Sequence, residues 1–204
     1  MDKIKKAPCT AVLVGVNVVI FLALSFIGRT EDASFMLDHG AMYLPKILED
    51  REIYRLVTSM FLHFGFEHLF SNMITLTFLG AIVEKEMGTL KYISMYLISG
   101  IVGNLLSMLG MVMQVTDVAV AAGASGAIFG INGVLVYIAI QNRDRMTDSL
   151  RNRIIFMTLF SLYMGFRSTG VDNGAHIGGF IAGMIMGYLF LKNKYQTRRQ
   201  KYGR

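Results

Sequence analysis

GASGAIFGINGVLVYIAI, residues 123–140, runs for eighteen residues without a charged side chain. A helix that is apolar all round has no solvent face, so it is either buried in a large core or set in a bilayer. At 204 residues, 53% apolar and 17% charged, with a mean hydropathy of +0.49, the chain is too apolar for an ordinary soluble domain. The bilayer reading therefore comes first. A hydrocarbon core about 30 Å thick takes roughly 20 apolar residues. Six runs near that length are present, at residues 9–27, 67–83, 90–113, 124–140, 154–166 and 175–191. The fifth is the shortest, and residues 150–153 extend it as an amphipathic first turn. The same composition excludes disorder, collagen and disulfide scaffolds. One cysteine, Cys9, makes neither an internal bridge nor a paired-thiol metal or redox site.

A net charge of +6 raises the question of nucleic acid. The cations, however, sit between the apolar runs: Lys3, Lys5 and Lys6 at the start, Arg143, Arg145, Arg151 and Arg153 in the middle, and six more from Lys192 onward. None alternates with stacking aromatics, so no nucleic-acid partner is expected. Alternate connections are rich and poor in cations, as the positive-inside rule requires, with fifteen of the twenty Lys and Arg on the side of the N-terminus. Both termini are then expected in the cytoplasm. The basic tail, residues 192–204, is expected to attract anionic membrane lipids. The outer connection, residues 28–66, is the longest. Its apolar residues, among them Leu37, Leu44, Ile47, Leu48 and Ile53, recur at spacings of three and four and predict an interfacial helix.

Polar side chains inside membrane spans are costly, so each is a functional candidate. His68 and Asn72 open the second run, Ser125 the fourth and His176 the sixth. These three runs all cross from outside to inside under the derived topology, so the three groups share a depth near the outer face. Ser125 sits in Gly-Ala-Ser-Gly at a helix start, where its own amide and the helix dipole are placed to stabilise an oxyanion. The same small residues also serve helix contacts in membranes. His176 supplies a base. Gly179, Gly183 and Gly187 behind it, with Gly126 and Gly130 on the fourth run, form two small-residue ridges that let the backbones approach. No Asp or Glu lies within the fourth or sixth run, and Asp117 and Asp172 are assigned to loops, which favours a Ser–His dyad over a triad. Phe129, one turn after Ser125, either supports the imidazole or simply packs. Asn72 offers an uncharged amide donor for an oxyanion, or a helix-capping group. His63 and His68, five apart, fall about 140° around an ideal helix and do not share a metal-binding face. No metal and no cofactor is expected, and His39 is expected in solvent.

Taken together, these residues resemble the rhomboid family of intramembrane serine proteases. The resemblance rests on Tyr54-Arg55, the spacing of His63, His68 and Asn72, Glu84-Lys85, Gly-Ala-Ser-Gly at 123–126, and Ala175-His176 with its glycine ridge. It implies an all-α polytopic fold of six transmembrane helices in one domain, residues 1–204, in the minimal six-span form. It further implies Ser125 as nucleophile and His176 as general base and then acid, with Asn72, His68 and the Ser125 amide in an oxyanion hole. Gly123 would line the site, and Arg55 and Glu84 would be structural hydrogen-bonding residues. Two positions depart from the family pattern: Tyr54 stands where Trp is common, and Phe129 where some members place Tyr against the catalytic His. The implied substrates are transmembrane proteins cut near the outer face, and the compact form suits a bacterial plasma membrane. At about 17 residues, or roughly 26 Å, the fourth helix is shorter than the hydrocarbon core, which predicts a water-filled pocket open to the outer side. Two other readings stay open on the residues: a non-catalytic rhomboid-like protein that captures membrane clients, and a small transporter using His68, Asn72 and His176 as a polar path. Oligomeric state is not legible.

Overall fold

The computed structural model describes residues 7–115, 119–142, 147–167 and 171–202. Lys3, Lys5, Lys6, Asp117, Arg143, Arg145 and Arg204 lie outside the described residues. The chain is almost entirely helical, in the order α1 (Pro8–Ile27), α2 (Ala33–Asp38), β1 (Met42–Tyr43), α3 (Leu44–Leu48), α4 (Arg55–Thr58), α5 (Gly65–Thr75), α6 (Ala81–Met87), α7 (Thr89–Val112), β2 (Val120–Ala121), α8 (Ser125–Gln141), α9 (Asp148–Arg167) and α10 (Asn173–Tyr202). A short tight turn of helix, Ser59–Phe61, follows α4, and a wider turn, Leu76–Gly80, joins α5 to α6 into one continuous rod.

Among the described residues, four helices are long and apolar enough to cross a membrane: α1, the α5–α6 rod Gly65–Met87, α7, and α10 over Asn173–Thr197. α8 is apolar but only 17 residues long. α9 carries Asp148, Arg151 and Arg153 in its first turns, which dilutes its apolar stretch. The outward faces of the long helices are apolar, with Phe26, Phe78, Leu90 and Leu189 all exposed. That surface suits lipid, where aliphatic side chains lose nothing by facing the solvent.

The centre of the molecule is α8, buried along most of its length between α7 and α10. Where α8 and α10 touch, Gly126 faces Gly179 and Gly130 faces Gly183, and a methyl group at either residue of α10 would overlap the opposing carbonyl. The two ridges read from the sequence are thus the surfaces that meet. Below the ridge Gly187 packs on Tyr137.

Glu84 of α6 shows how the rod holds α1. The first amides of a helix lack internal acceptors, and Ala7 provides no side-chain cap. The buried Glu84 carboxylate accepts instead from the amides of Cys9 (3.0 Å) and Thr10 (2.8 Å) and from the hydroxyls of Thr10 (2.7 Å) and Thr89 (3.0 Å). A negative charge at a helix N-terminus also meets the positive end of the dipole.

The connection 28–66 departs from the expectation of one interfacial helix. It folds as three short helices and a two-residue strand, with Met36, Met42 and Ile47 buried while Leu48 and Ile53 face outward. Arg55 stitches it together: one guanidinium nitrogen donates to the carbonyls of Leu37 (2.6 Å) and Ala41 (2.8 Å), and Nε donates to Glu52. The fold is also not purely α. β1 pairs antiparallel with β2, Met42 opposite Ala121 and Tyr43 opposite Val120. Residues 192–202 are a continuation of α10 rather than a separate tail, anchored by an ion pair between Lys194 and Glu86 at 2.8 Å.

Candidate active site

α5, α8 and α10 begin at one end of the bundle, and a cavity of about 620 Å³ opens among their first turns. His68, Asn72, Gly123, Ser125, Phe129 and His176 all line it. The structure thus brings together the polar groups that the sequence distributes over three runs.

The turn into α8 is held from outside. Gly123 takes φ +143°, a region open to glycine, and a Cβ there would lie 2.8 Å from His68 Cε1. Its amide donates to the Ser59 carbonyl at 2.9 Å. The Ala124 amide donates to His63 Nε2 at 3.4 Å. Ser125 is then the first residue of the helix, with its hydroxyl 3.0 Å from His176 Nε2. For that hydroxyl to donate, the imidazole proton must sit on Nδ1. Among the described residues Nδ1 has no hydrogen-bond partner. The ring is supported instead by Phe129, stacked at 4.2 Å between centroids and 25° between planes.

Asp172 lies just outside α10, in the loop expected from the sequence, but it is not idle there. It caps α10, its Oδ1 accepting from the Ala175 amide at 2.9 Å and its Oδ2 from the Ser107 hydroxyl at 2.6 Å. Burial pushes the carboxyl pKa up, and the two hydrogen bonds pull it partly back. Asn72 spends one amide hydrogen on the His68 carbonyl at 3.1 Å.

His63 lies outside the helix on which its angle to His68 is read. α5 begins only at Gly65, so His63 precedes the helix and an ideal-helix angle does not apply to it. Its ring meets that of His68 edge-on at 5.1 Å. Burial, then the nearby His68, lowers its pKa from 6.5 to about 3, so it stays neutral and its Nε2 remains an acceptor. His39 is exposed and bonds the Phe35 carbonyl through Nδ1 at 2.7 Å. Arg55 and Glu84 lie outside the cavity and act in the loop and at α1.

Two further residues, both on α7, support the site. Asn104 donates to the Leu56 carbonyl (2.8 Å) and to Ser59 Oγ (3.0 Å), which places it behind the carbonyl that holds Gly123. Ser107 holds Asp172. Both are polar residues inside an apolar run, the signal that singled out Ser125 and His176.

The rhomboid domain model matches residues 50–193. The rhomboid protease GluP of Bacillus subtilis is 32% identical over 180 residues, covering 88% of this chain and 34% of GluP. RHOMBOID-like protein 5 of Arabidopsis thaliana is 37% identical over 161 residues, 77% of this chain and 50% of that protein. Inactive RHOMBOID-like protein 8 of the same plant is 32% identical over 149 residues, 72% of this chain and 41% of that protein. The chain belongs to the rhomboid family, and with its apolar helices it is an integral membrane protein. It spans about a third to a half of the length of these relatives. The family includes a member described as inactive, so activity follows from the site and not from membership.

Proposed function

We propose that the protein is an intramembrane serine endopeptidase that cuts transmembrane-protein substrates through a Ser125–His176 dyad. The observation that carries this reading is the 3.0 Å separation of Ser125 Oγ and His176 Nε2, within general-base reach, on a wall of a cavity large enough for a peptide segment. His176 takes the hydroxyl proton as Ser125 Oγ bonds to the scissile carbonyl carbon. The tetrahedral intermediate collapses, the C–N bond breaks, and the proton passes from His176 to the leaving amine. Water then attacks the acyl-enzyme ester with His176 again as base, releasing the acid and restoring Ser125.

The amides of Gly123 and Ala124 are already engaged, and the amide of Ser125, at the first residue of α8, is a donor for the oxyanion. Asn72, through its second amide hydrogen, and His68 would complete the hole. Phe129 would take the orienting role that a carboxylate plays in a triad. Six spans are assigned by counting the short α8 and the charged-ended α9 with the four long helices. The cation distribution supports both termini in the cytoplasm and the cavity on the outer side, and the membrane we propose is a bacterial plasma membrane.

The test is cleavage of a transmembrane substrate by purified protein in proteoliposomes. Ser125→Ala and His176→Ala are expected to abolish turnover, and undiminished cleavage by either would reject the assignment. The relative described as inactive keeps a client-binding reading in view. A fluorophosphonate that labels an active control but not this protein would favour that reading.

A further inference from the structure

Around its first turns α10 meets α7 and α8 largely through glycine and main chain, and its side-chain anchors, Tyr137 against Gly187 and the Lys194–Glu86 pair, lie farther along the helix. On one side, a Cβ at Gly103 of α7 would lie 2.6 Å from the Ala175 carbonyl; on the other, a Cβ at Gly126 of α8 would lie 3.4 Å from the same oxygen. Gly174 rests on the Ser107 main chain, where its Cβ would come within 2.8 Å of Ser107 Cα. Backbone surfaces packed in this way resist separation. They resist axial sliding much less, because dispersion between smooth faces varies little with register. A directional bond is needed to set the height of the first turn of α10, the turn that carries His176.

We propose that the Ser107–Asp172 pair is that bond: a positioning device that ties the first turn of α10 to α7 and so fixes the His176 imidazole against Ser125. The inference rests on the protease reading of the Ser125–His176 pair. Asp172 reaches the turn three ways. Oδ2 accepts from Ser107 of α7, a residue 1% exposed, Oδ1 accepts from the Ala175 amide, and the Asp172 carbonyl accepts from the His176 amide at 3.2 Å. The first bond ties the turn to α7, and the other two transmit that anchor to the residue before His176 and to His176 itself. Asp172 makes no hydrogen bond to the imidazole, so it acts through the main chain and is not a third member of a triad. Misplacement of a catalytic group by 1 Å costs on the order of a hundredfold in rate, so a small release of this turn is enough to register in kcat.

The experiment uses the full chain in proteoliposomes, with Ser107→Ala, Asp172→Ala, their combination, and Asp172→Asn. Three quantities are read: kcat and KM on a transmembrane substrate, the rate of fluorophosphonate labelling, and hydrogen–deuterium exchange of the amides at 173–177. Each alanine variant is expected to lower kcat and the labelling rate by about tenfold or more with KM within about twofold, and to speed exchange at 173–177 alone. The combined variant should be no worse than Asp172→Ala, since the two groups make one bond. Asp172→Asn keeps an acceptor for Ala175 and a hydrogen-bonding group for Ser107, and should recover most of the rate. Unchanged kcat and labelling in Ser107→Ala and Asp172→Ala, beside an active parent, would overturn the positioning role and leave the protease reading standing. Losses that multiply in the combined variant, or that follow a global rise in exchange, would overturn it too. A parent that neither cleaves nor labels would sink the protease reading itself and the positioning role with it.

Discussion

Replacing Gly123 with alanine perturbs the site through a single methyl group, and its cost follows from the geometry. The new Cβ would lie 2.8 Å from His68 Cε1 and 2.9 Å from Nε2. Comfortable carbon contacts lie near 3.5–4.0 Å, so the imidazole has to retreat by about 0.7 Å or more. The backbone at φ +143° adds strain of order 1–3 kcal/mol for any residue with a side chain. If His68 helps to hold the oxyanion, its retreat removes one donor, a loss of about a hundredfold in kcat. The assay is steady-state cleavage in proteoliposomes beside thermal unfolding in detergent. Gly123→Ala is expected to lose about a hundredfold in kcat and about 1–3 kcal/mol in stability. Adding it to His68→Ala, where no ring remains to be displaced, should cost stability but little further activity. A Gly123→Ala protein that keeps more than half of its kcat would refute the reasoning, as would activity losses that multiply in the double variant.

Glu84→Ala leaves the Cys9 and Thr10 amides of α1 without their buried acceptor, and thermal unfolding should show a loss of about 3–5 kcal/mol with cleavage by the surviving folded fraction unchanged. Phe129→Ala removes a ring contact worth about 0.5–1.5 kcal/mol, so kcat should fall about two- to tenfold, with Phe129→Tyr close to the parent; equal rates in all three would show that the stack does not orient His176. His63 is held neutral in the fold with a pKa near 3 against an ordinary 6.5, so between those values the unfolded chain binds a proton that the folded chain does not. Stability from this group is therefore present above pH 6.5 and falls as pH drops below it, by about 1.4 kcal/mol per pH unit, and unfolding curves of the parent and of His63→Asn should converge as the pH is lowered.

Much of the cavity is legible in the chain because helix direction and polar spacing together put Ser125, His176, His68 and Asn72 at one end, and because ridges of Gly at every fourth position mark the faces that touch. Glu84 is harder to place by spacing: its partners, Cys9 and Thr10, lie more than seventy residues away and include backbone amides, which carry no signature in the side-chain pattern. The β1–β2 pairing is invisible for a related reason, since two residues of strand have no period. The angle between His63 and His68 does not follow from an ideal helix, because Gly65, with φ +77°, begins α5 two residues after His63. Asn104 and Ser107 are polar residues in an apolar run, as His176 is, but no neighbouring motif marks them.

The pairing of Met42 and Tyr43 with Val120 and Ala121 joins the long first connection to the segment leading into the nucleophile turn. Anyone grafting segments between relatives inherits that coupling. A graft that exchanges residues 28–66 alone would bring a foreign hydrogen-bonding edge up to the native 119–122, and a graft of 119–122 alone would do the reverse. The two stretches form one inheritable unit, so a hybrid that carries both should outperform hybrids that carry either, and natural variation in one should be answered by variation in the other.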